Sequence, residues 1–169
     1  CVLARATVAL DRVVVVLGAA AAAIQARVNL HGAEVVIAPD HAEGQAAALR
    51  AGLRAVAAWP ECAAALVLLG DQPTVQVAAI QYICDRYSTA IRRPATIVPR
   101  YGDRRGHPVL FARAAWPLLL RELHGDAGAR ALLARGEPAP LLEAALPAEW
   151  WPDDIDTWAD YVRLRDAGT

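Results

Sequence analysis

Apolar residues occur along this chain in short bursts separated by polar or glycine-containing breaks. Arg12-Val13-Val14-Val15-Val16-Leu17-Gly18 is β-branched and closed by glycine, the pattern of a buried parallel strand. Ala33 to Ala38 reads as a second strand, ended by Pro39-Asp40. Ala64-Ala65-Leu66-Val67-Leu68-Leu69 is the third and most apolar run. Ala95 to Arg100 and His107 to Phe111 follow as a fourth and a fifth, and Leu141 to Ala145 as a short edge strand. Between them the period changes to helical. Ala19 to Asn29 is alanine-rich, and Gly44 to Ala58 carries Leu49, Leu53 and Val56 on one face. A further helix, capped by Thr74, is expected to run to Ser88. Others cover Ala114 to Leu123, Gly128 to Ala134 and Thr157 to Asp166.

Strands alternating with helices predict one α/β domain over residues 1–169, a three-layer Rossmann-like sandwich around a mainly parallel, mixed sheet. No repeat or low-complexity linker divides it. In such folds ligands bind beyond the carboxyl ends of the strands. Gly18, Asp71 and the acids Asp153 to Asp156 fall where strand ends meet helix starts.

Composition narrows the function classes. A net charge of −1 leaves no basic field for a nucleic-acid binder. The longest apolar stretches are too short to span a bilayer, and the opening residues lack the charged start, apolar middle and cleavage site of a signal peptide. Three cysteines without a C-x-x-C point to a reducing, cytoplasmic setting. All 17 basic residues are arginine, and methionine is absent. With no N-cap before Cys1-Val2-Leu3-Ala4-Arg5, the chain is expected to begin inside its fold.

Leu69-Gly70-Asp71-Gln72-Pro73 is the sharpest motif. A carboxylate at the end of a buried strand is held rigidly at the ligand crevice. Magnesium prefers one or two such carboxylates plus waters and phosphate oxygens. Gly70 permits close approach and Pro73 sets the turn; the alternative is a surface turn in which Asp71 only caps a helix. Asp153-Asp154-Ile155-Asp156-Thr157 precedes the last helix. Thr157 and Asp160 read as a capping box, which does not account for three more acids. A divalent cation held by Asp71 and Asp156 relieves their repulsion.

Three further segments have the chemistry of anion binding. Arg104-Arg105-Gly106-His107-Pro108 places two arginines in a loop between Gly102 and Gly106, either a phosphate fork or a solvated hairpin tip. Its glycines and lack of apolar anchors predict a mobile loop that orders on an anionic substrate. Gly125-Asp126-Ala127-Gly128-Ala129-Arg130 leads into a helix, as an anion site or a plain helix start. His41-Ala42-Glu43-Gly44-Gln45 opens the helix containing Arg50, with free amides for a nucleotide.

In this order and spacing, the motifs resemble the molybdenum-cofactor cytidylyltransferases, a branch of the MobA-like NTP transferases in the nucleotidyltransferase superfamily. The matching stations are Val13 to Gly18, Glu43-Gly44 with Leu49 to Leu53, Gly70 to Pro73, Arg105 to Phe111, Gly125 to Arg130 and Asp154 to Thr157. The resemblance implies a nucleotide-diphospho-sugar transferase type of sheet. It also implies Mg2+-dependent transfer of CMP from CTP to molybdopterin with release of pyrophosphate. Asp71 and Asp156 would hold the metal. Gly18, Gly44, Gln45, Arg50, Gly70, Gln72 and Pro73 fall at matching binding positions, and Gln72 leans toward the cytidylyl branch. Arg105, Gly106, His107, Pro108, Asp126 and Arg130 would face the pterin. A molybdoenzyme or its accessory chaperone is the implied protein partner.

That family starts with a strand and a glycine-rich loop bearing a lysine, and this chain matches neither. The 169 residues alone are therefore expected to transfer no nucleotide. Ala48 stands where the family often has serine, and Trp158 where it has proline. Competing readings are a non-catalytic nucleotide-binding module of the same fold, and a guanylyl- or sugar-phosphate nucleotidyltransferase. A dinucleotide-dependent oxidoreductase would need G-x-G-x-x-G after the first strand, and alanines follow Gly18.

Overall fold

Continuous apolar runs require cover on both faces, and the fold supplies it. The computed structural model describes residues 1–167. The strands are β1 (Val14–Leu17), β2 (Glu34–Ile37), β3 (Ala64–Val67), β4 (Thr96–Tyr101), β5 (Arg104–Arg105), β6 (Val109–Ala112) and β7 (Leu141–Leu146). The helices are α1 (Val2–Ala9), α2 (Ala21–Arg27), α3 (Gln45–Ala57), α4 (Val77–Ser88), α5 (Trp116–Glu122), α6 (Arg130–Ala134) and α7 (Trp158–Asp166). Along β3, Ala65 and Val67 face a core built with Leu53 of α3, Trp116 and Leu119 of α5 and Leu132 of α6. Ala64 and Leu66 face Ile83 of α4 instead. Val98 against Ile97, and Phe111 against Leu110, divide between the same two cores. Successive side chains of a strand point to opposite faces, so each run fills both. α1 lies on α4, with Val2 buried beside Val75 and Ile80.

The strands form two sheets. β1 pairs β2 in parallel. β3 pairs β6 and β6 pairs β4, both antiparallel; β7 runs parallel along the other edge of β4. β3, β4 and β7 therefore share one direction, and β5 and β6 oppose it. The sheet is less parallel than the strand–helix alternation implies, because the 107–112 segment returns as a hairpin partner. β1 and β3 each have a partner on one side only, and their apolar side chains stay half-buried. Arg12, just before β1, reaches Glu61, just before β3, at 3.2 Å. Its guanidinium also lies 3.5 Å from the centre of the Trp59 ring.

Two expectations are corrected. Thr74 does not cap α4, which starts at Val77 with Gln76 as its N-cap; the Thr74 hydroxyl accepts the Asp153 amide at 2.7 Å. The Gly102–Gly106 segment is not without anchors. It turns tightly and pairs back on β4 through Arg104 and Arg105. Among the described residues no helix is long and apolar enough to cross a membrane.

Candidate active site

Two loops dock at the end of β3. The Ile155 amide donates to the Asp71 carbonyl at 2.9 Å, and Gln72, itself buried, donates through Nε2 to Asp154 Oδ1 at 2.8 Å. With the Asp153–Thr74 bond, three hydrogen bonds fasten residues 153–155 onto residues 71–74. The segments that carry Asp71 and Asp156 are thus held together, and both residues are exposed. Thr157 and Asp160 form the expected capping box. The hydrogen bond to Thr157 is the chief reason the Asp160 carboxyl is held below its usual range.

His107 stands at the joint of this half with the next. Burial pulls its imidazole below the ordinary value, while the Asp71 and Asp154 carboxylates pull it back up and Arg130 pushes it down. The charges of Asp71, Asp154 and Arg130 therefore converge on one ring. The adjacent Tyr101 is buried and donates its hydroxyl to the His107 carbonyl at 2.6 Å.

Burial pushes the Tyr101 phenol up to about 12. A folded pKa raised above the unfolded value near 10 means that the unfolded chain ionises first. Its contribution to stability is complete below pH 10 and is lost as pH rises toward 12. Tyr101→Phe should remove that alkaline loss at a cost of about 1 kcal/mol for the hydrogen bond. Urea melts of both proteins at pH 8, 10 and 11.5 check it, and parallel pH curves count against it.

The other half surrounds the start of α3. A Cβ on Gly18, just past β1, would lie 3.0 Å from His41 Cδ2. A Cβ on Gly44 would lie 1.8 Å from Asp126 Oδ1. Gly128 packs on Gln45, and the Ala46 amide donates to the Gly125 carbonyl at 3.1 Å. The 41–45 and 125–128 segments, read separately from the sequence, are one contact.

Arg50 does not present its guanidinium to a ligand. It is buried, donating to the Leu123 carbonyl at 2.7 Å and to Glu43 at 2.6 Å. It joins α3 to the end of α5. Arg50→Ala orphans that carbonyl and should cost about 1–3 kcal/mol, read as a lower urea midpoint; an unchanged midpoint would refute the joining role.

The two adjacent arginines do not form one fork either, because neighbours on β5 point to opposite faces. Arg105 donates to Glu143 of β7 through Nε at 2.7 Å and through a second, shorter bond, and to the Leu133 carbonyl at 3.2 Å. Arg104 instead lies over the Trp151 ring, 3.6 Å from its centre. Trp151 and Glu143 were invisible as site residues in the sequence, because nothing local to either marks a partner in the hairpin.

A family model, the MobA-like NTP transferase domain, matches residues 1–140. The chain belongs to the MobA-like NTP transferase family. Rv0371c of Mycobacterium tuberculosis is similar at 36% identity with a TM-score of 0.81, covering 97% of this chain and 81% of that one. A manganese complex of the same protein is similar at 34% with a TM-score of 0.77, covering 97% and 83%. A nucleotidyl transferase of Methanothermobacter thermautotroptrophicus shares the fold at 22% identity and a TM-score of 0.70, over 98% and 79% of the two chains. The chain is also 31% identical to the nicotine blue oxidoreductase of Paenarthrobacter nicotinovorans, over 90% of its own length and 74% of the relative's. As a MobA-like NTP transferase, this chain is a nucleotidyltransferase with the expected α/β fold.

Proposed function

We propose that this MobA-like chain transfers CMP from CTP to molybdopterin and releases pyrophosphate, with Mg2+ held by Asp71 and Asp156. The observation that carries the reading is the Ile155–Asp71 backbone bond, flanked by Gln72–Asp154, which joins the two acidic segments. The donor set fits the metal. Among the described residues no group of three or more His, Cys, Asp or Glu could cage an ion. Two exposed carboxylates, completed by water and phosphate oxygens, are the set magnesium prefers. When bound, the cation neutralises charge developing on the transferred phosphoryl group. The protein's share is positioning: the 41–45 segment receives the nucleotide side, and the 125–128 segment packed on it, with His107 and Arg130, borders the acceptor. Gly18, Gly70, Gly106, Pro73 and Pro108 shape the crevice, and Arg50 supports α3 from within.

The test assays pyrophosphate release with CTP or GTP, magnesium and molybdopterin, for the 169 residues and for a version carrying the upstream coding sequence. Turnover is expected from the extended chain, with CTP preferred. No turnover with either nucleotide would refute the reading.

The 31% relative, named a nicotine blue oxidoreductase, favours a second reading, a redox reaction of nicotine blue. Bleaching of nicotine blue by the chain with a nicotinamide reductant, in the absence of any nucleoside triphosphate, would support it instead.

A further inference from the structure

The geometry points to Arg104, held over the Trp151 ring, as the cation that meets the anionic group of the acceptor. This rests on the transfer reading and deepens it, since the family resemblance assigns that task to Arg105. The two arginines differ in what already holds them. Arg105 has Glu143 as counter-ion, and Arg100 approaches the same carboxylate at 3.9 Å. An incoming phosphate would have to displace Glu143 to reach it. Arg104 pairs across from Tyr101 in the β4–β5 ladder, on the opposite face. Among the described residues no carboxylate is paired with its side chain, and no hydrogen bond uses its guanidinium, which lies over the Trp151 ring. A guanidinium stacked on an aromatic face keeps its N–H donors free in its own plane, aimed sideways in a fork that suits phosphate or carboxylate.

Trp151 is itself fixed. Its ring meets Tyr101 edge-on at 5.6 Å between centroids. Gly106 closes beneath the pair, where a Cβ would lie 3.1 Å from Trp151 and 3.2 Å from Tyr101. The chain then runs from Trp151 through buried Pro152 to Asp153 and Asp154, already fastened to the Asp71 loop. Trp151 thus sets where Arg104 stands relative to the acids. Arg104 is the binding group and Trp151 its positioning residue.

The experiment follows the arginine Nε–H resonances of the intact protein during titration with inorganic phosphate, against sodium chloride at equal ionic strength. Arg104 is expected to shift and Arg105 to stay. In the transferring protein, Arg104→Ala should raise KM for molybdopterin at least tenfold, with kcat changing less than threefold. Trp151→Ala should raise it similarly, Trp151→Phe should restore it, and the Arg104→Ala, Trp151→Ala double variant should be no worse than either. A phosphate shift at Arg105 alone, no shift at either, or single effects that multiply would overturn the assignment. A protein that transfers nothing but still shifts at Arg104 would sink the transfer reading and leave Arg104 as an anion-binding group without an acceptor.

Discussion

Asp71→Asn is expected to lower kcat/KM for nucleotidyl transfer by about a thousandfold, which is about 4 kcal/mol of transition-state stabilisation. The residue is exposed, and among the described residues no hydrogen bond uses its carboxylate. Its backbone carbonyl, which holds Ile155, is unchanged by the substitution. The folded state should therefore lose no more than about 0.5 kcal/mol, as at an ordinary surface position. Activity and stability separate cleanly: transfer collapses while the urea midpoint stays. Asp156→Asn should behave alike, and the double variant should be little worse than either, because one cation needs both oxygens. The assay is pyrophosphate release in the transferring form of the protein. Near-normal turnover by either single variant would remove that residue from the metal site.

Gly44→Ala should be the most damaging single methyl in the molecule. Gly44 has φ +91° and ψ −162°, a region that is essentially glycine's alone and costs any L-residue about 1–3 kcal/mol. The added Cβ would also sit 1.8 Å from Asp126 Oδ1 and 2.8 Å from the Asp126 Cα. The second contact is backbone, so a rotamer change cannot relieve it. Either the 125–128 loop moves away or the start of α3 does, and both carry proposed substrate contacts. A total loss of about 2–4 kcal/mol is expected, together with a higher KM for the nucleotide. Pairing it with Asp126→Gly should recover the part due to the side-chain clash and leave the part due to backbone strain. Unfolding midpoints of the single and double variants check this; a single variant as stable as the parent would show that the loop contact is loose.

What could be read from the sequence follows what is local. Strand runs such as Ala64 to Val67 announce themselves, because burial on both faces requires unbroken apolar residues. The Thr157–Asp160 capping box was legible for the same reason, as its partners lie three residues apart. The acids at 71 and 153–156 stood out by type and by place at strand and helix ends. Pairing partners did not. Nothing near Thr74 says that its hydroxyl serves Asp153 rather than α4, and nothing near Arg50 says that Leu123 waits for it. The two adjacent arginines were read as one unit because a loop was expected where β5 forms. Once those residues are a strand, alternation sends one to Trp151 and the other to Glu143. The contact of the 41–45 segment with 125–128 is likewise long-range, and glycines at both sites were its only trace.

The claim at the centre of this account is that Asp71 and Asp156 share one divalent cation. A crystal soaked in manganese and measured at the manganese absorption edge tests it most directly. One anomalous peak is expected between the two side chains, at about 2.1–2.2 Å from an oxygen of each, with water completing the shell. A peak that touches neither residue, or carboxylates on opposite faces or more than about 8 Å apart, would contradict it.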